Sequence, residues 1–383
     1  MKKFLLISGL AVAAMVSCTK NEVYVSENND AQISFNAPVV QLNTKAVPGE
    51  QPNKANGKYS TSEKFSVYAY WTATAYQAGD WGTKPYMNNV EVEYDSTIGA
   101  GTTIVGGWAP ADAYYWPKTG VLTFAAYSPS DVEGTVAYGA EGLTVTGFTV
   151  KDTPADQYDF MYAERSYNRK ASTNQSVAGT GHTAQSYNGV DLMFHHALSS
   201  IVFKVKADED ITNTKFTVKK IEILNAQNKG DFAEKITDGP AYTSAPEWAN
   251  TTGKVNYVAW EGTQELAVKT STNTPGYVGL TNANDIILLP QAFANTANGN
   301  VKVKITYSIK RTAADAPEID GQVAEFDLST NNKVTEGGLT KTIDKWEMGK
   351  RYTYNLLFSL DKIYFAPEVT NWVEVNMDPI SVK

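Results

Sequence analysis

The sequence is poor in the side chains that most enzymes use for metal binding and proton transfer. Its 383 residues include one cysteine and three histidines. A single cysteine cannot form an internal disulfide, so core burial has to stabilise the fold. Zinc needs three or four converging ligands, and the adjacent His195 and His196 point to opposite faces of a strand, while His182 lies in a polar stretch. These shortages predict a protein without a metal or cofactor.

Motifs for nucleophilic catalysis and a strong positive charge are also missing. No G-x-S-x-G sequence places a serine between a strand and a helix. Carboxylates cluster at 208–210 and at Asp152, Asp156 and Asp159, but these are turn regions, where solvated loops are more typical than a glycosidase pair. The formal net charge of -8 argues against nucleic-acid binding. The sequence therefore predicts neither an enzyme nor a nucleic-acid-binding protein.

The first eighteen residues have the pattern of an export signal. Lys2 and Lys3 precede an apolar run at 4–16, which is too short to span a bilayer. The run ends near Cys18, and the pattern resembles a bacterial lipoprotein signal. Removal of 1–17 would then leave Cys18 acylated, for example with palmitate, and would anchor the protein in the outer membrane. The alternative is an ordinary secretory peptide with an incidental cysteine.

Short alternating strands separated by turns fill the rest of the sequence. After a polar tether, one such strand covers 32–40, and its apolar positions are Ile33, Phe35, Ala37 and Val39. Sustained helical periodicity is absent beyond the signal, and Gly, Asn and Pro between the strands favour β-sandwiches over a parallel α/β sheet. The length and the polar stretch at 165–189 predict two all-β sandwich domains, 46–189 and 190–383.

Aromatic residues are abundant, with 22 Tyr, 14 Phe and 8 Trp. If they were exposed, Trp71, Trp81 and Trp108 would provide stacking platforms for sugar rings, whereas buried they would form the core. Most aromatic residues of this region lie in alternating strand segments, which favours the core. The exposed alternative predicts a monomeric, lipid-anchored carbohydrate-binding or adhesive surface protein whose partners are host or bacterial surface glycans or proteins.

Several short segments occur along the chain in an order that is characteristic of one protein family. They are the leader ending at Cys18, ISFNAP at 33–38 followed by TKA at 44–46, FSVYAY at 65–70, YWP at 115–117, FAAYSP at 124–129, DFMYA at 159–163, FHHALSSIVFKV at 194–205 and WEMGKRYTY at 346–354. In this order, and over nearly the whole chain, they resemble the fimbrillin family, the major and minor fimbrial subunits of Bacteroides and Porphyromonas relatives.

The resemblance implies two β-sandwich domains of transthyretin-like topology and a non-enzymatic pilin that supports adhesion. Family subunits are exported as lipoproteins, and a trypsin-like protease then cuts after a basic residue and removes the first strand. The matching bond is Lys45–Ala46, which would make 18–45 a propeptide; Lys54–Ala55 and Lys58–Tyr59 are alternatives. The implied partners are this protease and other fimbrial subunits, in a homo- or hetero-polymer. The implied location is the outer membrane and then the cell-surface fimbrium.

Removal of the strand at 32–40 would leave unpaired backbone groups and empty apolar pockets, to which an extended strand from another subunit could add. The segment 368–383 is a candidate donor strand, with alternating apolar residues at Val369, Val373, Val375 and Met377. It could equally close its own domain, because periodicity does not tell in which chain a strand is paired. Both interpretations stay open at the level of the sequence.

Overall fold

The computed structural model describes residues 32–35, 39–40, 61–97, 107–170, 189–237, 243–280, 285–295, 297, 299–313, 316–331, 333–336, 339–360 and 363–371. These residues are mostly β-strand, which confirms the predicted all-β fold. The strands are β1 (Val39–Val40), β2 (Phe65–Thr72), β3 (Pro85–Asp95), β4 (Gly107–Pro110), β5 (Val121–Ser128), β6 (Thr135–Gly139), β7 (Gly142–Thr149), β8 (Met161–Arg169), β9 (Met193–His196), β10 (Ser199–Ala207), β11 (Thr214–Ala226), β12 (Lys229–Ala233), β13 (Ile236–Thr237), β14 (Thr243–Ser244), β15 (Glu247–Thr252), β16 (Val255–Glu265), β17 (Val278–Gly279), β18 (Ile286–Leu288), β19 (Lys302–Arg311), β20 (Glu318–Asp327), β21 (Lys333–Glu336), β22 (Leu339–Thr342), β23 (Lys350–Phe358) and β24 (Ile363–Asn371).

Helical structure in the described residues is limited to a 3-10 turn, Pro154–Asp156, and one turn of α-helix, α1 (Leu328–Asn331). Neither they nor any other helix in the described ranges is long and apolar enough to cross a membrane.

A seven-stranded sheet organises the first half of the molecule, in the order β1-β9-β8-β5-β2-β3-β4. Its central strands β2 and β5 are buried along almost their whole length. Alternate residues of β2 enter different hydrophobic clusters, with Phe65 and Val67 on one side and Tyr68 and Tyr70 on the other. Because successive side chains point to opposite faces, this sheet has a core on each face.

A four-stranded sheet, β15-β12-β7-β6, joins strands that are distant in the sequence. Its strands β6 and β7 precede residue 189, whereas β12 and β15 follow it. Strand β9 also follows residue 189 and pairs with β8 of the seven-stranded sheet. Hydrogen-bonded sheets thus include strands from both sides of the predicted boundary at 189/190, and the division into two domains stays a prediction.

Two further sheets enclose the core of the second half. One has the order β17-β10-β23-β24, with β18 paired to β10, and the other has the order β16-β11-β19-β20. In β19, Val303 and Ile305 are fully buried, while Lys302 and Lys304 lie on the outer face and form ion pairs with carboxylates. Short hairpins, β13-β14 and β21-β22, complete the described strands. The transthyretin-like topology remains a prediction.

Candidate assembly groove

Residues 32–35 lie in a groove at the open side of the seven-stranded sheet. On one wall, the amide N–H of Ile33 donates to the carbonyl of Tyr114 at 2.7 Å, and that of Phe35 donates to the carbonyl of Trp108 at 2.8 Å. On the other wall, the N–H of Val190 donates to the Ser34 carbonyl at 2.8 Å. The segment is therefore bonded on both of its edges, between β4 and the start of β9.

The apolar side chains of this segment belong to the core. Ile33 and Phe35 are both 0% exposed. The Phe35 ring meets those of Phe65 and Phe124 edge-on, each with a centroid distance of 5.7 Å. Burial of two such side chains contributes roughly 3–6 kcal/mol before entropy. The predicted alternation of this strand thus corresponds to two side chains that pack in an aromatic-rich core.

Each wall of the groove is also held by contacts that do not involve residues 32–35. Strand β4 pairs with β3, and the rings of Tyr94 and Trp108 pack with centroids 5.1 Å apart. The Tyr86 hydroxyl donates to the carbonyl of Tyr115, and burial raises the pKa of Tyr86, which keeps this hydroxyl protonated. On the opposite side, β9 pairs with β8. Removal of the segment would therefore leave both walls with their own supports.

The first residues of the predicted donor strand belong to a sheet of their own chain. Val369 lies in β24, pairs with Tyr352 of β23 and is partly buried against the core. Asn371, the last residue of β24, pairs with Lys350, and its side-chain oxygen accepts a hydrogen bond from the Lys350 ammonium group. For residues 363–371 the structure thus supports the alternative in which the segment closes its own domain.

Several residues singled out in the sequence lie outside the described residues. They are Cys18, Ala37, Lys45, Ala46, His182, Val373, Val375 and Met377. For Val39 the backbone is described, and it pairs in parallel with Met193. The lipidation site, the cleavage bond and the end of the donor strand stay predictions.

Two of the three tryptophans considered as sugar platforms are buried. Trp81 is 6% exposed and Trp108 is 3% exposed. Trp71 is half-buried; its Nε1 donates to the carbonyl of Thr119 at 2.7 Å, and the Lys84 ammonium group lies 4.6 Å from its ring centroid. These contacts favour the core interpretation of the aromatic residues.

The two adjacent histidines form separate contacts with carboxylates of the neighbouring chain segment. His196 Nδ1 lies 2.7 Å from Asp159 Oδ2 in a buried pair, and His195 Nε2 lies 2.9 Å from Glu164 Oε1. In the described part of the chain, no group of three or more His, Cys, Asp or Glu residues could hold a metal ion. Both histidines act here as cross-strand partners that join β9 to β8 and to the residues preceding it.

Sequence reasoning missed a buried arginine in β8. Arg165 is 5% exposed, and its guanidinium lies 4.1 Å from the centroid of a Trp81 ring. Its Nη2 donates to the carbonyls of Gly139 and Ala140 at 2.6 and 3.0 Å. Arg165 thereby attaches the β6-β7 turn to the seven-stranded sheet. The available signal was the first of the two arginines in the strand MYAERSYNR, a charged residue type that usually lies in solvent.

Comparison with known proteins finds one family profile and several solved structures that are similar to most of the chain. The profile of a family described as fimbrillin-like matches residues 44–372. A putative cell adhesion protein from Bacteroides uniformis has 16% identity and a TM-score of 0.46, with 90% of this chain and 100% of that chain covered. A fimbrial protein from Bacteroides vulgatus has 17% identity and a TM-score of 0.49, with 81% and 93% covered. A fimbrilin from Porphyromonas gingivalis has 13% identity and a TM-score of 0.40, with 91% and 99% covered.

No curated protein matches the sequence. The fimbrillin-like profile nevertheless extends from residue 44, next to the predicted cleavage bond, to residue 372, just after β24. Because this match covers most of the chain, the protein belongs to the fimbrillin-like family.

Proposed function

We propose that this protein is a structural subunit of cell-surface fimbriae that supports adhesion. It is exported as a lipoprotein acylated on Cys18, cut by a trypsin-like protease at Lys45–Ala46, and polymerised when the tail of a neighbouring subunit fills the groove left by residues 32–40. Its partners are other fimbrial subunits and the processing protease. Membership of the fimbrillin-like family supports a fimbrial or adhesion-associated role.

One observation carries the proposal. Residues 32–35 complete the core of the first half, and β1 follows them at Val39–Val40, but the next strand of the main sheet, β2, begins at Phe65 beyond the predicted cleavage site. Cutting at Lys45 would disconnect this segment from the rest of the fold and leave it held by non-covalent contacts alone. A core that depends on a detachable strand is suited to exchange of that strand for one from another molecule.

A groove filled by a new strand would be more stable than an empty groove. An empty groove would expose the ring faces around Phe35 and leave the carbonyls of Trp108 and Tyr114 without the donors that residues 32–35 supply. Each regained backbone hydrogen bond contributes a net ~0.5–1.5 kcal/mol, and each buried apolar side chain contributes roughly 1.5–3 kcal/mol. A tail with alternating apolar residues would restore both contributions.

The experiment combines N-terminal sequencing of surface-extracted protein with SDS-resistant ladders on gels. Wild-type fimbriae are expected to begin at Ala46 and to form ladders. Lys45→Ala should keep the protein lipid-linked and monomeric, and a truncation after Asn371, which leaves β24 intact, should be cut normally but form no ladders. Lys118→Ala, at an exposed lysine far from the bond in the sequence, is the matched control. Ladders that persist in both test variants would contradict the proposed polymerisation.

A further inference from the structure

We propose that the sheet edge at β17, in the second half of the molecule, binds a sugar that carries a carboxylate, such as a sialic or uronic acid of a glycan. This surface, the β17 shelf, consists of Tyr277, Gly279 and Lys204. The inference rests on the adhesive role in the proposed function, and it adds the class of ligand and the residues that would bind it. It involves neither the assembly groove nor the tail.

Strand pairing places the residues of the shelf side by side. In the antiparallel ladder of β10 and β17, Lys204 lies opposite Gly279. The same register sets Tyr277, which precedes β17 by one residue, next to Lys206. Val205 is fully buried, so its neighbours Lys204 and Lys206 point to the outer face of the sheet. In the described part of the chain β17 is the last strand on this side of the sheet, so the shelf lies at an open edge.

Tyr277 presents an aromatic ring to solvent. It is 40% exposed, in contrast to the buried Trp81 and Trp108. The Lys206 ammonium group lies 5.9 Å from the centroid of the Tyr277 ring and donates to Glu209 Oε1 at 2.8 Å, which holds it beside the ring. An exposed ring that is held in place can stack on the apolar face of a sugar ring.

Gly279 leaves room for a ligand beside this ring. A Cβ atom added at Gly279 would meet no atom of the described residues within 4 Å, and the φ of Gly279 lies outside the left-handed region. The backbone therefore does not require a glycine here, and its small size leaves an open space that Tyr277 borders along the strand and Lys204 borders across it. Beyond Lys204, its β23 partner Asn355 is half-buried and carries an amide that can bond sugar hydroxyls.

Lys204 gives the shelf a preference for negative charge. The ammonium groups of Lys206 and Lys269 share the carboxylate of Glu209, at 2.8 and 3.5 Å from its oxygens. Lys204 is exposed, and no carboxylate of the described residues forms an ion pair with it. An unpaired cation beside an open space and an aromatic ring favours a sugar with a carboxylate over a neutral sugar.

Weak binding at one shelf would be sufficient for adhesion by a polymer. Every subunit of a fimbrium would present the same site, and linked sites that engage one surface together can bind roughly 10²–10⁴-fold more tightly than a single site. The shelf is therefore suited to a surface that carries many copies of the sugar.

The experiment measures binding of the uncut full chain, with Cys18→Ala to prevent acylation, to immobilised sugars. The probes are sialyllactose and an oligogalacturonate, each compared with its own methyl ester, which lacks the charge. The acid form of at least one probe is expected to bind about two- to fivefold more tightly than its ester, as is typical of one exposed ion pair, and this preference should shrink as salt is raised. A preference confined to sialyllactose would indicate a host glycan, and one confined to oligogalacturonate would indicate a plant polysaccharide.

Exposed substitutions test the shelf without a change in the core. Tyr277→Ala should lower the affinity for a bound probe about tenfold, and Tyr277→Phe should retain it, because the ring is kept. Gly279→Val fills the open space and should abolish binding without a loss of thermal stability, since a β-branched residue suits a strand better than glycine does. Lys204→Gln should remove the preference for acid over ester. Lys254→Gln, at an exposed lysine between β15 and β16, is the matched control.

Equal binding of acid and ester by the wild-type protein would overturn the inference, as would full binding by Tyr277→Ala and Gly279→Val. The same conclusion would follow if neither uncut monomers nor assembled fimbriae bound any of the four probes. These results do not depend on the ladders that test polymerisation, and missing ladders would not alter binding by uncut monomers. The two proposals can therefore fail independently.

Discussion

At the scale of single residues, Phe35 links the removable segment to the core. Its side chain is fully buried and packs edge-on against two phenylalanine rings that belong to β2 and β5. In the proposed cycle, however, Phe35 leaves with the propeptide. Its contribution to stability should therefore exist only in the uncut protein.

Phe35→Ala should lower the free energy of unfolding of the uncut chain by about 3–5 kcal/mol, because it removes a buried ring and leaves a cavity. Urea denaturation of protein that also carries Cys18→Ala, which prevents acylation, measures this change. Cut and assembled fimbriae should show no change in thermal stability. Phe65→Ala is the matched control and should destabilise both forms, so an equal loss for Phe35→Ala in assembled fimbriae would contradict the proposed removal.

Glu222 is a second residue with a testable electrostatic role. It lies between two lysines on the outer face of the β11 sheet, 3.0 Å from the Lys220 ammonium group and 3.1 Å from that of Lys304. Partial burial opposes ionisation, but the hydrogen bonds from both lysines prevail and lower the pKa of Glu222. The ionised form is therefore favoured more strongly in the folded than in the unfolded chain.

Glu222→Gln should lower the free energy of unfolding at pH 7 by about 1 kcal/mol, as is typical of such ion pairs. A carboxyl group with a lowered folded pKa stabilises the fold above its unfolded pKa, and this contribution disappears as the pH falls through the folded pKa. The difference from wild type should thus shrink as the pH falls through the lowered pKa of Glu222, as measured by urea denaturation at a series of pH values. A constant difference across that range would indicate lost packing instead.

At the scale of elements, a buried glutamine connects the region after β7 to the second half of the molecule. Gln157 is 3% exposed, and its Oε1 accepts a hydrogen bond from the Ile287 N–H of β18 at 2.8 Å. Its Nε2 donates to the Lys151 carbonyl at 3.0 Å. Together these bonds join β18 to a segment 130 residues earlier in the chain.

Gln157→Leu should lower the free energy of unfolding by about 1–3 kcal/mol, because it leaves the buried Ile287 N–H without its acceptor. Hydrogen exchange should report faster exchange at Ile287 than in wild type. The exposed Gln77→Leu is the matched control and is expected to stay within about 0.5 kcal/mol of wild type. Unchanged protection of Ile287 would show that the connection does not depend on this side chain.

At the scale of the whole molecule, the proposed cycle predicts a transient state with an open groove. Cut subunits without an incoming tail should bind a hydrophobic dye such as ANS more strongly than uncut protein, because the pocket around Phe65 and Phe124 becomes exposed. Dye fluorescence should fall again as polymers form or when a peptide of residues 372–383 is added. A dye signal that does not differ between cut and uncut protein would show that the groove closes by itself.

Local sequence patterns predicted the strands, the family and several buried side chains of this protein, and the reason is physical. Alternation along a strand is fixed by the two-residue repeat of its backbone, so Ile33 and Phe35 could be assigned to a buried face from the sequence. The order of several short segments likewise identified the fimbrillin resemblance, which the profile match over 44–372 confirms. The side chains of Trp81 and Trp108 lie in the core, as the strand pattern favoured.

The sequence by itself therefore determined that the chain is all-β, which family it belongs to and that the apolar residues Ile33 and Phe35 face inwards. Only the tertiary structure decided that residues 32–35 lie between β4 and β9, that Val369 pairs with Tyr352 of its own chain, and that Arg165 is buried. The backbone groups of a strand can be satisfied by any neighbouring strand, so pairing partners depend on contacts between residues far apart in the sequence, and no local period encodes them.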